Sequence, residues 1–208
     1  MKDITIFENF INDEELEEVR QFIGDKLVLK PGIHKPNSQV NLGWRFNSED
    51  NCYKKILFYL PRHVVSRLNP TVGMEDIIPS LKNFILKIKN KIDKCMNTNF
   101  EIQRIYLNRQ VRGQDVSLHT DDSNPNTYTL LIYIGDITPE NYDKAGGDLE
   151  IKTKEITRIE PFTKRAVLFK GYIPHQAYAP LVPDITRISL AFKLIDSSKE
   201  LPFMVKYT

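Results

Sequence analysis

Leu118-His119-Thr120-Asp121 sets an imidazole and a carboxylate two residues apart. On an extended chain residues i and i+2 point to the same side, so the pair aims at one point in space. Two ligands hold a metal poorly, and a third is expected from elsewhere. The natural candidate is His175, which follows Ile173-Pro174 just past the apolar run Arg165-Ala166-Val167-Leu168-Phe169. Two neutral imidazoles and one carboxylate on one face of an octahedron leave three positions open. That donor set suits non-haem iron(II), whose open positions take a bidentate cosubstrate and then dioxygen. The absence of cysteine from the set argues against structural zinc. The His-x-Asp spacing alone is weak. With four histidines in the chain it arises readily by chance, and a lone surface or turn histidine is the commoner case.

A basic residue downstream strengthens the reading. Arg187 opens the run Arg187-Ile188-Ser189-Leu190-Ala191-Phe192. In a strand, Ile188, Leu190 and Phe192 share one side while Arg187, Ser189 and Ala191 share the other, which in a barrel can face the lumen. A guanidinium inside a barrel is costly unless an anion meets it. A dicarboxylate cosubstrate supplies that anion through a bidentate fork. Considered by itself, an arginine in a surface ion pair is the more frequent arrangement.

The elements that must position these residues fall into helices first and strands later. Ile4 to Phe7 alternates as a short strand. Asn12 reads as a helix cap, with Glu15 three residues on completing a capping box. Leu16, Val19, Phe22 and Ile23 follow at helical spacing, with Gly24 as the stop. The stretch from Pro31 to Asp50 is rich in Pro, Asn, Ser and Gly and reads as loop, with a short strand around Trp44-Arg45-Phe46. Residues 52–75 are ambiguous, broken by Pro61 and Pro70. A second helix begins near Pro79, with Leu81, Phe84, Ile85, Ile88, Ile92 and Cys95 on one face. Lys82, Lys87, Lys89, Lys91 and Lys94 fill much of the rest. A solvated face is the favoured reading of these lysines over a nucleic-acid or lipid surface. After Asn97 come short β-rich runs: Phe100 to Leu107, Tyr128 to Ile134, Leu149 to Ile151, Ala166 to Phe169 and Arg187 to Leu194. Gly113, Gly135-Asp136, Gly146-Gly147, Gly171 and Pro183-Asp184 separate them. Such punctuation predicts a β-barrel or jelly roll with the helices on one outer face.

At 208 residues the chain suits one domain, and 41% hydrophobic with 27% charged residues suits a folded, soluble one. A net charge of +2 does not announce a nucleic-acid binder. Two cysteines outside any Cys-x-x-Cys pair suggest a reduced, intracellular setting. The N-terminus lacks an apolar signal core, and no run approaches a membrane span. A cytoplasmic protein without a membrane segment is the expectation.

From Phe100 to Lys193 the chain resembles the 2-oxoglutarate/iron(II) dioxygenase superfamily, and most closely its prolyl 4-hydroxylase-like branch with small phage and viral members. The resemblance is carried by an ordered series: His119-Thr120-Asp121, Thr129-Leu130-Leu131-Ile132-Tyr133-Ile134, Gly146-Gly147-Asp148-Leu149, Arg165 to Phe169, His175, then Arg187-Ile188-Ser189-Leu190. Phe7-Glu8-Asn9-Phe10-Ile11-Asn12 is also similar to the opening of that branch. The resemblance implies a mainly β, α+β fold. This is a double-stranded β-helix, a cupin-like jelly roll over residues 100–196, supported by a helical region over residues 1–99. It implies His119, Asp121 and His175 as iron ligands and Arg187 as partner of the distal carboxylate of 2-oxoglutarate. Tyr133 looks similar to a tyrosine that reaches the same carboxylate, and Tyr106 and Asn108 are candidates for the cosubstrate's other end. Gly146-Gly147 is expected to let a loop run close to the sheet. Two departures stand out: Pro183-Asp184-Ile185-Thr186 replaces a frequent glycine, and the Arg187 to Lys193 spacing is similar to a nucleic-acid demethylase branch.

The implied activity is hydroxylation with iron(II), 2-oxoglutarate and O2, releasing succinate and CO2, with ascorbate a candidate stimulant. The iron centre itself carries the chemistry, and no separate acid or base is expected. A prolyl residue or other protein side chain is the leading substrate, ahead of a nucleobase or a free amino acid. The rival from another class is a cupin-like module that binds metal or sugar without turnover. Trp44, Arg45, His34 and Tyr172 are candidates for a substrate groove, although ordinary packing or solvated loops is the favoured reading for them. Whether Lys193 meets substrate is open at this level.

Overall fold

The β-branched and aromatic runs form two antiparallel sheets in a computed structural model, which describes residues 2–23, 45–48, 51–59 and 77–198. His34, Trp44 and the Gly24 helix stop lie outside the described residues, as does most of residues 31–75. The strands are β1 (Ile4–Phe7), β2 (Arg45–Asn47), β3 (Cys52–Tyr59), β4 (Phe100–Gln110), β5 (Thr127–Tyr133), β6 (Leu149–Lys152), β7 (Ile156–Ile159), β8 (Ala166–Lys170), β9 (His175–Ala177) and β10 (Arg187–Asp196). The large sheet runs β1-β8-β5-β10-β4-β3-β2 and the small one β7-β6-β9. This is the expected double-stranded β-helix. β1 and β3 both precede residue 100 and join the large sheet, so the N-terminal region contributes strands as well as helices. The ambiguity of residues 52–75 hid β3. It carries Lys54-Lys55 among its apolar residues, which blurs the alternation a strand normally shows.

Helix α1 (Asp13–Arg20) starts as expected. Asn12 Oδ1 accepts from Glu15 N at 2.8 Å, and Glu15 Oε2 accepts from Asn12 N at 2.9 Å. Each such cap is worth about 1 kcal/mol. Helix α2 (Pro79–Met96) opens on a proline and ends at Asn97 in the left-handed region, φ 48°. Its buried face is Leu81, Phe84, Ile85, Ile88 and Ile92, each worth about 1.5–3 kcal/mol when removed from water. Cys95, expected on that face, is exposed instead. It sits in the last turn, beside the turn that reverses the chain into β4, and meets solvent there. Neither cysteine forms a disulfide among the described residues.

Three of the five α2 lysines have local partners. Lys91 and Lys87 pair with the buried Glu15 at 2.7 and 3.4 Å, and Lys89 pairs with Asp93. Lys87 and Lys91 thus tie α2 to α1, while Lys82 and Lys94 stay exposed. No described helix is long and apolar enough to cross a membrane.

Two cores follow from strand alternation. Leu190, Phe192, Leu130, Ile132, Ile105 and Leu107 face α1 and α2 in the larger core. Ala191, Leu131, Tyr133, Tyr106, Val167 and Phe169 face the small sheet, packing with Leu149, Ile151 and Ile159. The second set floors the lumen between the sheets, and the site stands on it.

Candidate metal and cosubstrate site

Backbone pairing brings the distant histidines together. His119 N donates to His175 O at 3.0 Å, and His175 N donates to His119 O at 2.9 Å, a closed antiparallel bridge. Asp121 N is held by Gly171 O at 2.8 Å, on the turn between β8 and β9. Each imidazole is then oriented by its own neighbourhood. Nδ1 of His119 lies 2.8 Å from Ser117 O, and Nδ1 of His175 lies 2.9 Å from Ile173 O. Donation to those carbonyls fixes the tautomer and leaves both Nε2 atoms as acceptors, the state a metal ligand needs. The ligand atoms of His119, Asp121 and His175 all lie within 4.8 Å of one another. Asp121 Oδ1 is 3.8 Å from His119 Nε2, and Oδ2 is 3.5 Å from His175 Nε2.

The electrostatics favour ligation. Burial pushes the His175 pKa down to about 4, outweighing the opposing pull of Asp121, so its imidazole is neutral at neutral pH. Burial acts to raise the Asp121 carboxyl. The Lys193 ammonium, His175 and hydrogen bonds from Lys193 and Thr129 overcome it and hold the group well below the usual carboxylate range. Thr129 Oγ1 donates to Asp121 Oδ2 at 2.5 Å, and Lys193 Nζ contacts the same oxygen while donating to Thr129 Oγ1 at 2.9 Å. These contacts occupy Oδ2. Two imidazole nitrogens and a carboxylate kept ionised, with no thiolate, fit a divalent iron-type ion in a mixed N/O site.

Arg187 is 3% exposed, and its side chain points into the lumen as the alternation predicts. Its Nε donates to Gly147 O at 2.9 Å, its Nη1 to Gln110 Oε1 at 2.7 Å, and its Nη2 approaches the Tyr133 hydroxyl at 3.4 Å. All three partners are neutral. Burial raises the Tyr133 pKa against the opposing effect of Arg187, so the phenol keeps its proton. Two more buried polar atoms of residues lining the same cleft, Ser189 Oγ and Asn108 Oδ1, have no hydrogen-bond partner among the described residues. A buried cation facing only neutral acceptors, beside unpaired polar atoms, fits a site built for an anionic ligand. Gly147 sits at φ 93°, a backbone conformation that L side chains rarely adopt, and there its carbonyl meets Arg187 Nε.

One cleft of about 450 Å³, solvent mouth included, connects both centres. Its lining includes His119, Asp121, His175, Arg187, Tyr106 and Lys193. The structure therefore brings together the three candidate ligands, Arg187, Tyr133 and Tyr106. Tyr172 stands apart, 40% exposed in a shallow outer groove with Lys152 and Lys154. Arg45 lies on β2, at the edge of the large sheet. The sequence reading missed Thr129, Gln110 and Lys54, and left Lys193 without a role. A signal existed: Lys193 is in phase with Arg187, and Thr129 with Tyr133, along strands whose lumenal side was already assigned.

The two facing antiparallel sheets define the class of fold, a double-stranded β-helix or jelly roll. Solved structures bear out the fold. An oxidoreductase of the 2OG-Fe(II) oxygenase family from Burkholderia pseudomallei superposes with a TM-score of 0.62 at 13% identity, covering 93% of this chain and 84% of that one. A Trichoplax adhaerens prolyl hydroxylase, solved with a peptide fragment of the hypoxia-inducible factor oxygen degradation domain, gives 0.58 at 17% identity, covering 94% and 84%. A non-haem alpha-ketoglutarate-dependent carbocyclase from nogalamycin biosynthesis gives 0.61 at 10% identity, covering 94% and 80%. No protein-family profile matches the chain, and no curated protein does.

Proposed function

We propose that this protein is a 2-oxoglutarate-dependent dioxygenase that hydroxylates a prolyl residue or another protein side chain. The observation that carries the reading is the shared cleft. His119, Asp121 and His175 converge at one end and the buried Arg187 waits among neutral acceptors at the other. The peptide-bound prolyl hydroxylase among the structural neighbours supports the protein-substrate reading.

His119 Nε2, Asp121 Oδ1 and His175 Nε2 would hold iron(II). When bound, the metal supplies the dioxygen chemistry that couples 2-oxoglutarate decarboxylation to hydroxylation, yielding succinate and CO2. Arg187, with the Tyr133 hydroxyl beside it, would grip the distal carboxylate of 2-oxoglutarate and set its depth in the lumen. Ser189 Oγ and Tyr106, on neighbouring strands of the same wall, would orient the rest of the cosubstrate. Leu131, Leu149 and Ala177 give the cleft its apolar lining. Thr129 and Lys193 would hold Asp121 by Oδ2, leaving Oδ1 for the metal.

Oxygen uptake coupled to 2-oxoglutarate decarboxylation tests the reading. It is expected in the iron-loaded protein and absent in His119→Ala or Asp121→Ala. Metal binding without any such turnover would favour a non-catalytic cupin-like module. Mass spectrometry of candidate peptides and oligonucleotides, seeking a gain of one oxygen, separates the protein substrate from a nucleobase.

A further inference from the structure

The lumenal wall next to Lys193 is more cationic than the metal site requires. Arg104 on β4 stands directly across the sheet from Lys193 on β10. Tyr106, two residues on, shares their face. The Arg104 guanidinium carbon lies 4.9 Å from the Tyr106 ring centroid, and the Lys193 ammonium 5.7 Å. The Lys54 ammonium arrives from β3 at 5.1 Å. Three cations therefore gather on one ring that is itself 6% exposed.

Directly opposed like charges on one sheet face destabilise the pairing. An aromatic face attracts cations but does not neutralise them. Lys193 has its answer in Asp121. Arg104 has none: it forms no ion pair with any described residue, and the Tyr106 ring is its contact. Asp121 is the one carboxylate among the described residues lining the cleft, and Lys193 already pairs with it. A divalent metal and a dianionic 2-oxoglutarate bring no net charge between them, so they supply no anion to Arg104.

We propose that the substrate carries an anionic group, a carboxylate or a phosphate, which seats on Arg104 and Lys54 at the Tyr106 edge of the cleft. This deepens the proposed function and rests on it. An uncharged prolyl ring with no acidic group nearby leaves Arg104 unanswered. The charge-assisted, forked hydrogen bonds of a guanidinium suit either kind of oxyanion.

The test is calorimetric titration of the protein loaded with Mn(II) and saturating 2-oxoglutarate, so that the Arg187 seat is filled. The probes are inorganic phosphate, N-acetylglutamate and the neutral N-acetylprolinamide. At least one anionic probe is expected to bind, and more tightly than the neutral one. Which anion wins identifies the carboxylate or the phosphate as the source. Arg104→Gln is expected to weaken that binding about tenfold or more, the equivalent of about 1.4 kcal/mol. Arg104→Lys is expected to retain most of it. Melting curves establish that each variant folds. Lys54→Gln, expected to act in the same direction, carries the test if Arg104→Gln does not fold. Equal affinity in the wild type and Arg104→Gln, or neutral and anionic probes binding alike, overturns the proposal. Failure of the protein to take up metal and 2-oxoglutarate would instead sink the oxygenase reading. Arg104-dependent anion binding, repeated without either, would then still decide this one.

Discussion

Replacing Arg187 with methionine removes a buried cation while keeping much of its apolar bulk. Two consequences follow from its contacts, and they differ in kind. The first is on stability. Gly147 O and Gln110 Oε1 lose donors at 2.9 and 2.7 Å in a region where Arg187 is 3% exposed. An orphaned buried acceptor costs about 1–3 kcal/mol, and relief from burying an uncompensated charge offsets part of this. A net change within about 2 kcal/mol in either direction is expected in the cosubstrate-free protein. The second consequence is on ligand binding. Truncating one partner of a buried, hydrogen-bonded charge pair costs about 2–5 kcal/mol, so 2-oxoglutarate should bind about 30- to 4,000-fold more weakly. Calorimetric titration of the Mn(II)-loaded protein with 2-oxoglutarate measures the second, and denaturant melts measure the first. Arg187→Lys should fall between, because it keeps the charge but loses the fork. If Arg187→Met bound 2-oxoglutarate within threefold of the wild type, the lumenal guanidinium would not be the carboxylate's seat.

Further outcomes are equally specific. Asp121→Ala should abolish Mn(II) binding at micromolar concentrations, read by electron paramagnetic resonance of the free ion, and retention of the ion would exclude this triad. Glu15 is buried. Burial raises its carboxyl pKa, but bonds to Lys91 and the Asn12 amide and the charge of Lys87 bring it below the ordinary 4.5. A depressed folded pKa stabilises the protein above that ordinary value and ceases to as pH falls through the folded one. Glu15→Gln should therefore lower stability by about 1–2 kcal/mol at pH 7, with the gap closing in acid. A gap that is constant with pH would exclude the ionic contribution. Gly135→Ala places a Cβ at 2.7 Å from Thr186 O and 2.9 Å from Ile188 N, both backbone atoms beside Arg187. It should cost about 1–3 kcal/mol in thermal or denaturant melts, and an unchanged melt would mean that the strand gives way freely.

Much of the site could be read from period-two patterning. The His119-x-Asp121 pair and the Arg187, Ser189, Ala191 face need only a strand to become geometry, and the β-rich composition around them supplied it. Asn12 and Glu15 announced α1 for the same reason, since the capping signal is local. What could not be read is cross-strand. Nothing in sequence says that Arg104 will stand opposite Lys193, or that Gln110 will meet Arg187, because register depends on turns and on the bulge at Lys193/Leu194. β9 was invisible for a related reason. His175-Gln176-Ala177 has no strand signature of its own and becomes one by pairing with β6. Cys95 shows the opposite failure, a residue in phase with an apolar face that runs out of surface to pack on.

The reciprocal backbone bridge between His119 and His175 has a bearing on how this protein matures. Peptide hydrogen bonds, rather than an ion, tie the two segments together, and the imidazole tautomers are set by carbonyls two residues back in each. Folding is therefore expected to precede metallation. Denaturant melts recorded with and without a chelator should then nearly coincide, and a large loss of stability in the chelator would mean that the ion itself helps to close the bridge.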